Sequence, residues 1–459
     1  MLLEILNTID SAVWGPWLLI LLLGVGVMFT LRLGLIQITS LPRALKLIFF
    51  ARNRGDGDID SFKALCTALA ATVGTGNIVG VATAIKAGGP GALLWMWIAA
   101  FFGMATKYAE GCLAVRYRQV DANGDISGGP MYYIEQGLGK KWKPLAVIFA
   151  IFGVMTACLG SGTYTQANAI MSSIEVTFGV APIITDAVLT ILVAVIILGG
   201  LQSIAKAAEK IVPAMAVLYI VSVIALLVVY ADRVPDAVAL IIHDAFNPTA
   251  AVGGFLGATV MTTIRSGIAR GIFSNESGLG SAPIVAAAAK TKWPAEQGLI
   301  SMTGTFIDTI VICTLTGLSI VVTGAQNAFV AGSVEGVKIT SRAWQTGLPW
   351  NGRFSAFVLM LCLAFFAFTT ILGWNYYSER CLEYLVGSQK FTKVYRYLYI
   401  LAVFIGPYLT VAAVWNIADI CNGLMAFPNL IALFALSGVV GKETRAYFAE
   451  KRHDLKAMA

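Results

Sequence analysis

The sequence predicts an all-α polytopic membrane protein of about eleven transmembrane helices: one accessory helix, then two sets of five, the second inverted relative to the first. Three observations carry this. The chain of 459 residues is 58% hydrophobic and 12% charged, about half the charged share of a water-soluble domain. Apolar stretches long enough to cross a hydrocarbon core of about 30 Å recur from end to end. Two glycine-interrupted apolar segments, ATVGTGNIVGV at 71–81 and RGIFSNESGLGSAP at 270–283, open the two sets at corresponding places.

The spans are read at 12–35, 62–85, 91–116, 144–175, 182–200, 207–230, 252–288, 297–323, 353–385, 395–414 and 417–440. The start, MLLEILNTID, is acidic and lacks a basic n-region, so 12–35 is an accessory membrane helix and not a cleaved signal. Residues 62–230 form the first repeat and 252–440 the second, and an odd number of spans per repeat inverts the second. Spans seven and nine exceed the roughly 20 residues a crossing needs, so breaks, tilt or extension must absorb the excess. The longest connections are 324–352 and the 36–61 loop with its DGDID run, and neither reads as a soluble domain. The whole of 1–459 is one transmembrane domain, with 441–459 as its tail.

Of the 32 Lys and Arg, 25 fall on one side, in loops 36–61, 117–143, 201–206, 289–296 and 386–394, the tail and the adjoining helix ends. Lys86, Arg233, Lys338, Arg342 and Arg353 lie on the other side, and Arg265 and Arg270 lie inside span seven. Positive charge favours the cytoplasm, which predicts an outer N-terminus and an inner C-terminus. Topology and lipid headgroups thus account for the net charge of +7, and no nucleic-acid partner is implied. The seven cysteines show no CxxC spacing and read as packing residues. With only His243 and His453 present, no histidine-based metal or nucleophilic centre can be assembled in the membrane. No HExxH or GxSxG motif marks an enzyme, and no repeated filter motif marks a channel.

A helix broken at membrane depth leaves backbone groups that lipid cannot satisfy, so breaks persist where they line a solute site. If the first break opens at Gly74, Thr75 and Gly76, the preceding half directs its negative dipole end and the carbonyls of Ala70 and Val73 at the gap. The half starting near Asn77 directs NH groups there. One end suits a cation and the other a carboxylate. In span seven, Gly271 and Gly278 frame IFSNES, whose unwound carbonyls, with Ser274 and Asn275, suit an ammonium group. The competing reading of either segment alone is close helix packing through small residues.

Thr369 and Thr370 in FAFTTILGW offer two neighbouring hydroxyls near the carbonyl of Phe366. Neutral oxygens of this kind suit sodium, with the carbonyls of Ala70 and Val73 completing the set. The alternative is that both hydroxyls bond back to their own helix. Asp308 and Glu110 are intramembrane acids. Glu110 reads as a helix-end ion pair with Lys107 or Arg116, and Asp308 as either an ion carrier or a partner of Arg265 or Arg270. Glu276 reads as a support that accepts NH bonds from the unwound segment. Trp95, Trp97 and Trp415 read as packing or interface aromatics, whereas Phe273 and Trp374 are candidate pocket walls.

The runs GGPGALLWMWIAAFFGMATKYAEG at 88–111, ATVGTGNIVGVATA, GGPMYYIEQGLG at 128–139, GIFSNESGLGSAPIVAAAAKT at 271–291, GTFIDTIVICTLTGL and VWNIADICNGLMAFPNL together resemble the alanine or glycine:cation symporter family over nearly the whole chain. The resemblance implies a leucine-transporter-type fold with an extra first helix. It also implies sodium-coupled uptake of alanine or glycine across a prokaryotic plasma membrane, with a monomer sufficient for transport. Proton coupling is the rival within the same class. The V-G-x-G-N pattern of that fold falls on Val73, Gly74, Gly76 and Asn77. Its sodium site would then comprise Ala70, Val73, Phe366, Thr369 and Thr370. Its amino-acid pocket would comprise Thr75, Gly76, Asn77, Gln166, Ile272, Phe273, Asn275 and Trp374, with Gln166 the placement least fixed by its surroundings.

The charge bias makes one prediction directly. In membranes, Val334→Cys is labelled by an impermeant thiol reagent added outside, whereas Asp125→Cys and Phe448→Cys are labelled only after permeabilisation. Reversed labelling overturns the inverted arrangement.

Overall fold

The computed structural model describes residues 2–50, 55–120, 124–160, 162–247, 260–329, 336–388, 390–408 and 411–458. Among the described residues the chain is mainly helical, with a two-stranded hairpin in which Gln119–Val120 pairs with Ile126–Ser127 and an isolated bridge between Ile59 and Ala289. Seven helices among the described residues are at least 18 residues long and apolar enough to cross a bilayer, and a bent pair makes an eighth. The other expected spans, 182–200, 252–288 and 395–414, run as the shorter helices Pro182–Ile197, Val260–Asn275 with Ala282–Ala286, and Lys390–Ile405, in part over residues outside the described ones. Position 334 and the Trp415 side chain also lie outside the described residues.

The bent pair is the first glycine-interrupted segment. Ser61–Thr72 ends at Val73, and the chain resumes in a π-helical turn, Gly76–Gly80, that continues into Val81–Gly88 at 51° to the first half. Gly74 is required by close approach: a Cβ there would stand 2.5 Å from the Thr370 hydroxyl.

The second segment breaks later than the sequence suggests. Residues Gly271–Asn275 continue the helix Val260–Asn275, and the unwound residues are Glu276–Ser281. Glu276 adopts φ 56°, with Gly278 at 87° and Gly280 at 85°, so the backbone turns through the left-handed region that glycine enters without a Cβ penalty. Gly271 does not open the break but packs beside Met96. The IFSN carbonyls therefore belong to a helix C-terminus, and that of Ile272 already accepts the Glu276 NH at 2.8 Å.

A third interruption was not expected. Span 144–175 is two helices, Lys143–Leu159 and Tyr164–Phe178. Gly162 lets the chain turn against Ala157 and the Cβ of Trp374, and its carbonyl accepts the Tyr399 hydroxyl at 2.9 Å.

The connection 324–352 is likewise more than a loop. It contains the helix Gly336–Gly347, whose Ile339, Ala343 and Trp344 are buried. Trp344 packs on Tyr219, their ring centroids 5.4 Å apart. The tail continues as the helix Ser437–Met458, which buries Tyr447.

Helix Ala92–Arg116 packs along Pro294–Thr305 and Val260–Asn275. The contact is close because glycines face it: a Cβ on Gly298 would lie 2.7 Å from the Tyr108 carbonyl. Small residues let membrane helices approach in this way, and here the approach holds a lysine and a glutamate of the central helix against the second break. Breaking that contact should loosen the site before it unfolds the protein. Gly298→Leu is expected to lower the melting temperature by several degrees, for an overpacking cost of about 1–3 kcal/mol, read by fluorescence-detected size exclusion after heating. An unchanged melting temperature contradicts the close packing.

Candidate functional site

The two broken helices touch at their breaks. A Cβ on Gly76 would lie 3.2 Å from Cα of Ser274 and 3.5 Å from the Phe273 ring. Both breaks are anchored on Asp308, which sits in an eight-residue π-helical stretch, Phe306–Cys313. π-Helical segments concentrate at functional sites because they re-aim side chains. One Asp308 oxygen accepts from Asn77 Nδ2 at 2.7 Å, and the other accepts from the Ser274 hydroxyl at 2.9 Å and the Thr309 hydroxyl at 2.7 Å. Asn77 follows the first break and Ser274 lies in the last turn of the helix before the second, so one buried carboxylate joins the two broken helices. Neither Arg265 nor Arg270 reaches it. Arg270 is paired with Asp419 instead, at 2.8 and 3.3 Å.

The backbone freed by the first break is largely spoken for. Asn77 Oδ1 accepts the Gly74 NH at 2.9 Å, and Gln166 Oε1 accepts the Thr75 NH at 3.3 Å. Hydroxyls of Thr316 and Thr340 donate to the carbonyls of Asn77 and Ile78 at 2.8 and 3.2 Å. The Gln166 contact follows from the interruption before Tyr164, which starts a fresh helix two residues before it. The Thr75 hydroxyl is buried without a hydrogen-bond partner among the described residues, and a buried polar group in that state marks a place for a ligand or water.

At the second break, Lys107 and Glu110 lie one turn apart on Ala92–Arg116. Lys107 Nζ donates to the Asn275 carbonyl at 2.9 Å, a cation at a helix C-terminus. Glu110 accepts the Gly280 NH at 3.1 Å and Asn429 Nδ2 at 2.7 Å. The expected ion pair at the helix end therefore does not form: Arg116 pairs with Glu443 at 3.2 Å, and Glu110 is an internal cap. Glu276 supports the segment as expected, though through the hydroxyl of Ser281 and the Trp374 indole. Asn275 turns inward, accepting the Ser277 NH at 2.9 Å and donating to Thr309 at 3.0 Å. One of the carbonyls expected to receive a substrate ammonium is thus taken by Lys107.

Thr369 and Thr370 are buried, and Thr370 lies against Gly74 of the first break. Their hydroxyls donate to the Phe366 carbonyl at 3.1 and 2.9 Å, and Thr369 also donates to Phe365 at 3.0 Å. Donation uses the hydroxyl proton and leaves oxygen lone pairs. Ala70, Val73 and Phe366 are also buried. Both hydroxyls thus bond back to their own helix, the alternative that the sequence also offered; the Thr370 hydroxyl lies against Gly74, that of Thr369 also lies 3.7 Å from Met215 Sδ, and neutral oxygens of this kind fit a monovalent cation. No group of His, Cys, Asp and Glu among the described residues has metal-binding geometry.

Of the expected pocket residues, Thr75, Gly76, Asn77 and Gln166 gather at the first break, and Ile272, Phe273 and Asn275 end the helix facing it. Trp374 is buried, its ring 5.6 Å from Tyr377 and edge-on to it. Phe273 carries the Arg270 guanidinium over its ring at 5.5 Å. Sequence reasoning missed the joining role of Asp308 and the contact of Lys107 with the break. The TFIDT and KYAE motifs contain both, but nothing local says where they point.

The whole chain, residues 1–459, matches the model of the sodium:alanine symporter family. The chain belongs to that family. It is 48% identical to the sodium/alanine symporter AgcS of Methanococcus maripaludis over 99% of both chains. It is also 56% identical to an uncharacterized transporter of Haemophilus influenzae, over 97% of this chain and 96% of that one. The solved structure of MhsT in complex with L-phenylalanine superposes with a TM-score of 0.62 at 13% identity, covering 85% of this chain and 93% of that one. The fold is therefore the leucine-transporter type that the motifs implied.

Removing the shared carboxylate tests the joint. Asp308→Ala removes the carboxylate acceptor and leaves the Asn77 amide and the Ser274 hydroxyl only longer contacts, to Cys313 Sγ at 3.4 Å and, for Asn77, to the residue 308 carbonyl at 3.3 Å, at a cost of about 1–3 kcal/mol, so thermal stability in detergent should fall and substrate uptake should be lost. Wild-type melting together with wild-type uptake contradicts the role.

Proposed function

We propose that this symporter imports small neutral amino acids, alanine and glycine, together with sodium by alternating access. The observation that carries the reading is the meeting of the two breaks beside an oxygen cluster: Gly74 lies against Thr370, and Gly76 against Ser274 and Phe273. Sodium would be held by the carbonyls of Ala70, Val73 and Phe366 and the hydroxyls of Thr369 and Thr370. Its charge would offset the negative dipole end of the half-helix Ser61–Thr72. The substrate carboxylate would approach the first break at Thr75, Gly76 and Asn77, with Gln166 fixing the loop beneath it. Ile272, Phe273 and Trp374 would bound the side chain, and Asn275 would hold the second break in shape. Phe273 and Trp374 would leave room for a hydrogen or methyl side chain but little more, which would favour glycine and alanine over larger substrates.

The sodium/alanine assignment of the Methanococcus maripaludis relative supports the same substrate and ion here. A monomer contains every element of this site, so the proposed unit of transport is one chain. It would sit in a prokaryotic plasma membrane, N-terminus outside. Proton coupling is the second reading, and Asp308 is the observation behind it, as a buried carboxylate at the joint.

The two threonines decide the ion. Replacing both Thr369 and Thr370 by Ala removes two of five ligands, so the sodium concentration for half-maximal alanine uptake should rise at least about tenfold, equivalent to about 1.4 kcal/mol. Unchanged sodium dependence in the double variant rules the site out.

A further inference from the structure

A cavity of about 730 Å³ lies at the far end of the accessory helix Pro16–Arg32, where the helix Leu41–Phe50 and the tail helix Ser437–Met458 come together. None of its lining residues belongs to the site at the broken helices. Arg32, Thr39, Ser40, Arg43, Arg445 and Phe448 are among them, and among the described residues no Asp or Glu is. The chain turns sharply as it leaves the accessory helix: Gly34 and Leu35 take φ of 64° and 55°, the left-handed region that penalises the Cβ of a leucine. Beyond this turn, Arg43 in the first turn of Leu41–Phe50 faces the same hollow as Arg32, and Arg445 faces it from the tail.

The three guanidiniums are short of partners. Arg32 Nη1 donates to the Ser437 hydroxyl at 3.0 Å. Arg43 lies over the Phe448 ring at 5.1 Å, which fixes its direction and leaves its NH groups free to donate. No ion pair or hydrogen bond engages Arg43 or Arg445 among the described residues, and Glu443 of the same tail helix is committed to Arg116 at 3.2 Å. Like charges gathered around one hollow repel each other, and an anion among them removes that cost. Guanidinium forks match the paired oxygens of a phosphate.

The surroundings decide which phosphate. Leu31, Leu35 and Ile38, on the same stretch of chain, are 74, 45 and 57% exposed, and Phe49 and Phe50 are exposed at the other end of Leu41–Phe50. A cationic hollow at the end of a membrane span, flanked by exposed apolar side chains, matches both parts of a phospholipid: phosphodiester within, acyl chains along the leucines. A zwitterionic headgroup fits less well, because no carboxylate lines the hollow to meet its ammonium. Free phosphate would leave the apolar flank uncovered.

We propose that this cavity binds the headgroup of an anionic phospholipid, with Arg43 and Arg445 donating to the phosphodiester and Arg32 closing the third side. The bound lipid fastens the accessory helix to the tail, joining the two ends of the chain at the membrane surface. The proposal is independent of the substrate and ion assigned to the broken helices.

The test uses acyl-labelled fluorescent phosphatidylglycerol bound to the full-length protein in detergent micelles and displaced by unlabelled competitors. Phosphatidylglycerol should displace it at a concentration at least about tenfold below that of phosphatidylcholine with the same acyl chains. Inorganic phosphate in millimolar excess should not displace it. Arg43→Gln with Arg445→Gln should weaken binding of the labelled lipid about tenfold or more, and each single variant should weaken it in part. Lys140→Gln with Lys141→Gln, which removes an exposed basic pair elsewhere, should leave it unchanged. Equal displacement by the two lipids, or wild-type binding in both single variants, overturns the site even if the double variant does not fold. Displacement by inorganic phosphate overturns the lipid as occupant, and an equal loss in the Lys140 and Lys141 variant reduces the effect to general surface charge and overturns it too.

Discussion

Backbone that leaves the helix at membrane depth must find partners inside the protein, and the rest of this structure is arranged around meeting that demand twice in one place. Asp308 is where the two solutions meet. Its carboxylate takes the amide of Asn77 and the hydroxyl of Ser274, so the two broken helices share one acceptor. Lys107 and Glu110 then complete the second break from a single helix, a cation at the end of one half and an anion at the start of the next. These buried charges persist because each has a partner, and removing one partner would strand the other in a medium that cannot solvate it.

The shared acceptor has a mechanical consequence. A movement of Val81–Gly88 that carries Asn77 away pulls on the carboxylate that holds Ser274, so the two broken helices are coupled through a bond rather than only through packing. Gly74 and Thr370 make a second link, from the first break to the long helix Gly352–Val386. A cation held between them would tie those two elements together when present and release them when absent, which is the differential interaction an ion must make to bias a conformational equilibrium.

Much of the fold was legible because its signals are long and chemically coarse. Apolar length, glycine-interrupted segments and the charge bias read directly from the chain, and ATVGTGNIVGV broke where its glycines lie. The second break was displaced by five residues because glycine content alone does not locate an unwound segment: Gly271 serves packing, while Glu276, a residue with no turn preference, adopts the left-handed conformation. The interruption at 160–163 and the helix Gly336–Gly347 escaped notice because short polar runs inside or between apolar spans read equally well as helix or loop. At the site, Thr369 and Thr370 were read from their adjacent hydroxyls and Gln166 from motif resemblance, and of these Thr370 and Gln166 lie beside the first break. The partners of Glu110, Lys107 and Asp308 were not recoverable, since helix faces separated by up to 319 residues determine them.

The account stands or falls on what drives uptake. Purified protein in liposomes, given radiolabelled alanine, should accumulate it against its gradient when sodium is higher outside at equal pH on both sides. It should not do so when a proton gradient is imposed without sodium. Accumulation driven by the proton gradient alone, at a rate matching the sodium-driven one, would contradict the assignment of the Thr369 and Thr370 oxygens as the coupling site and would move the role to Asp308.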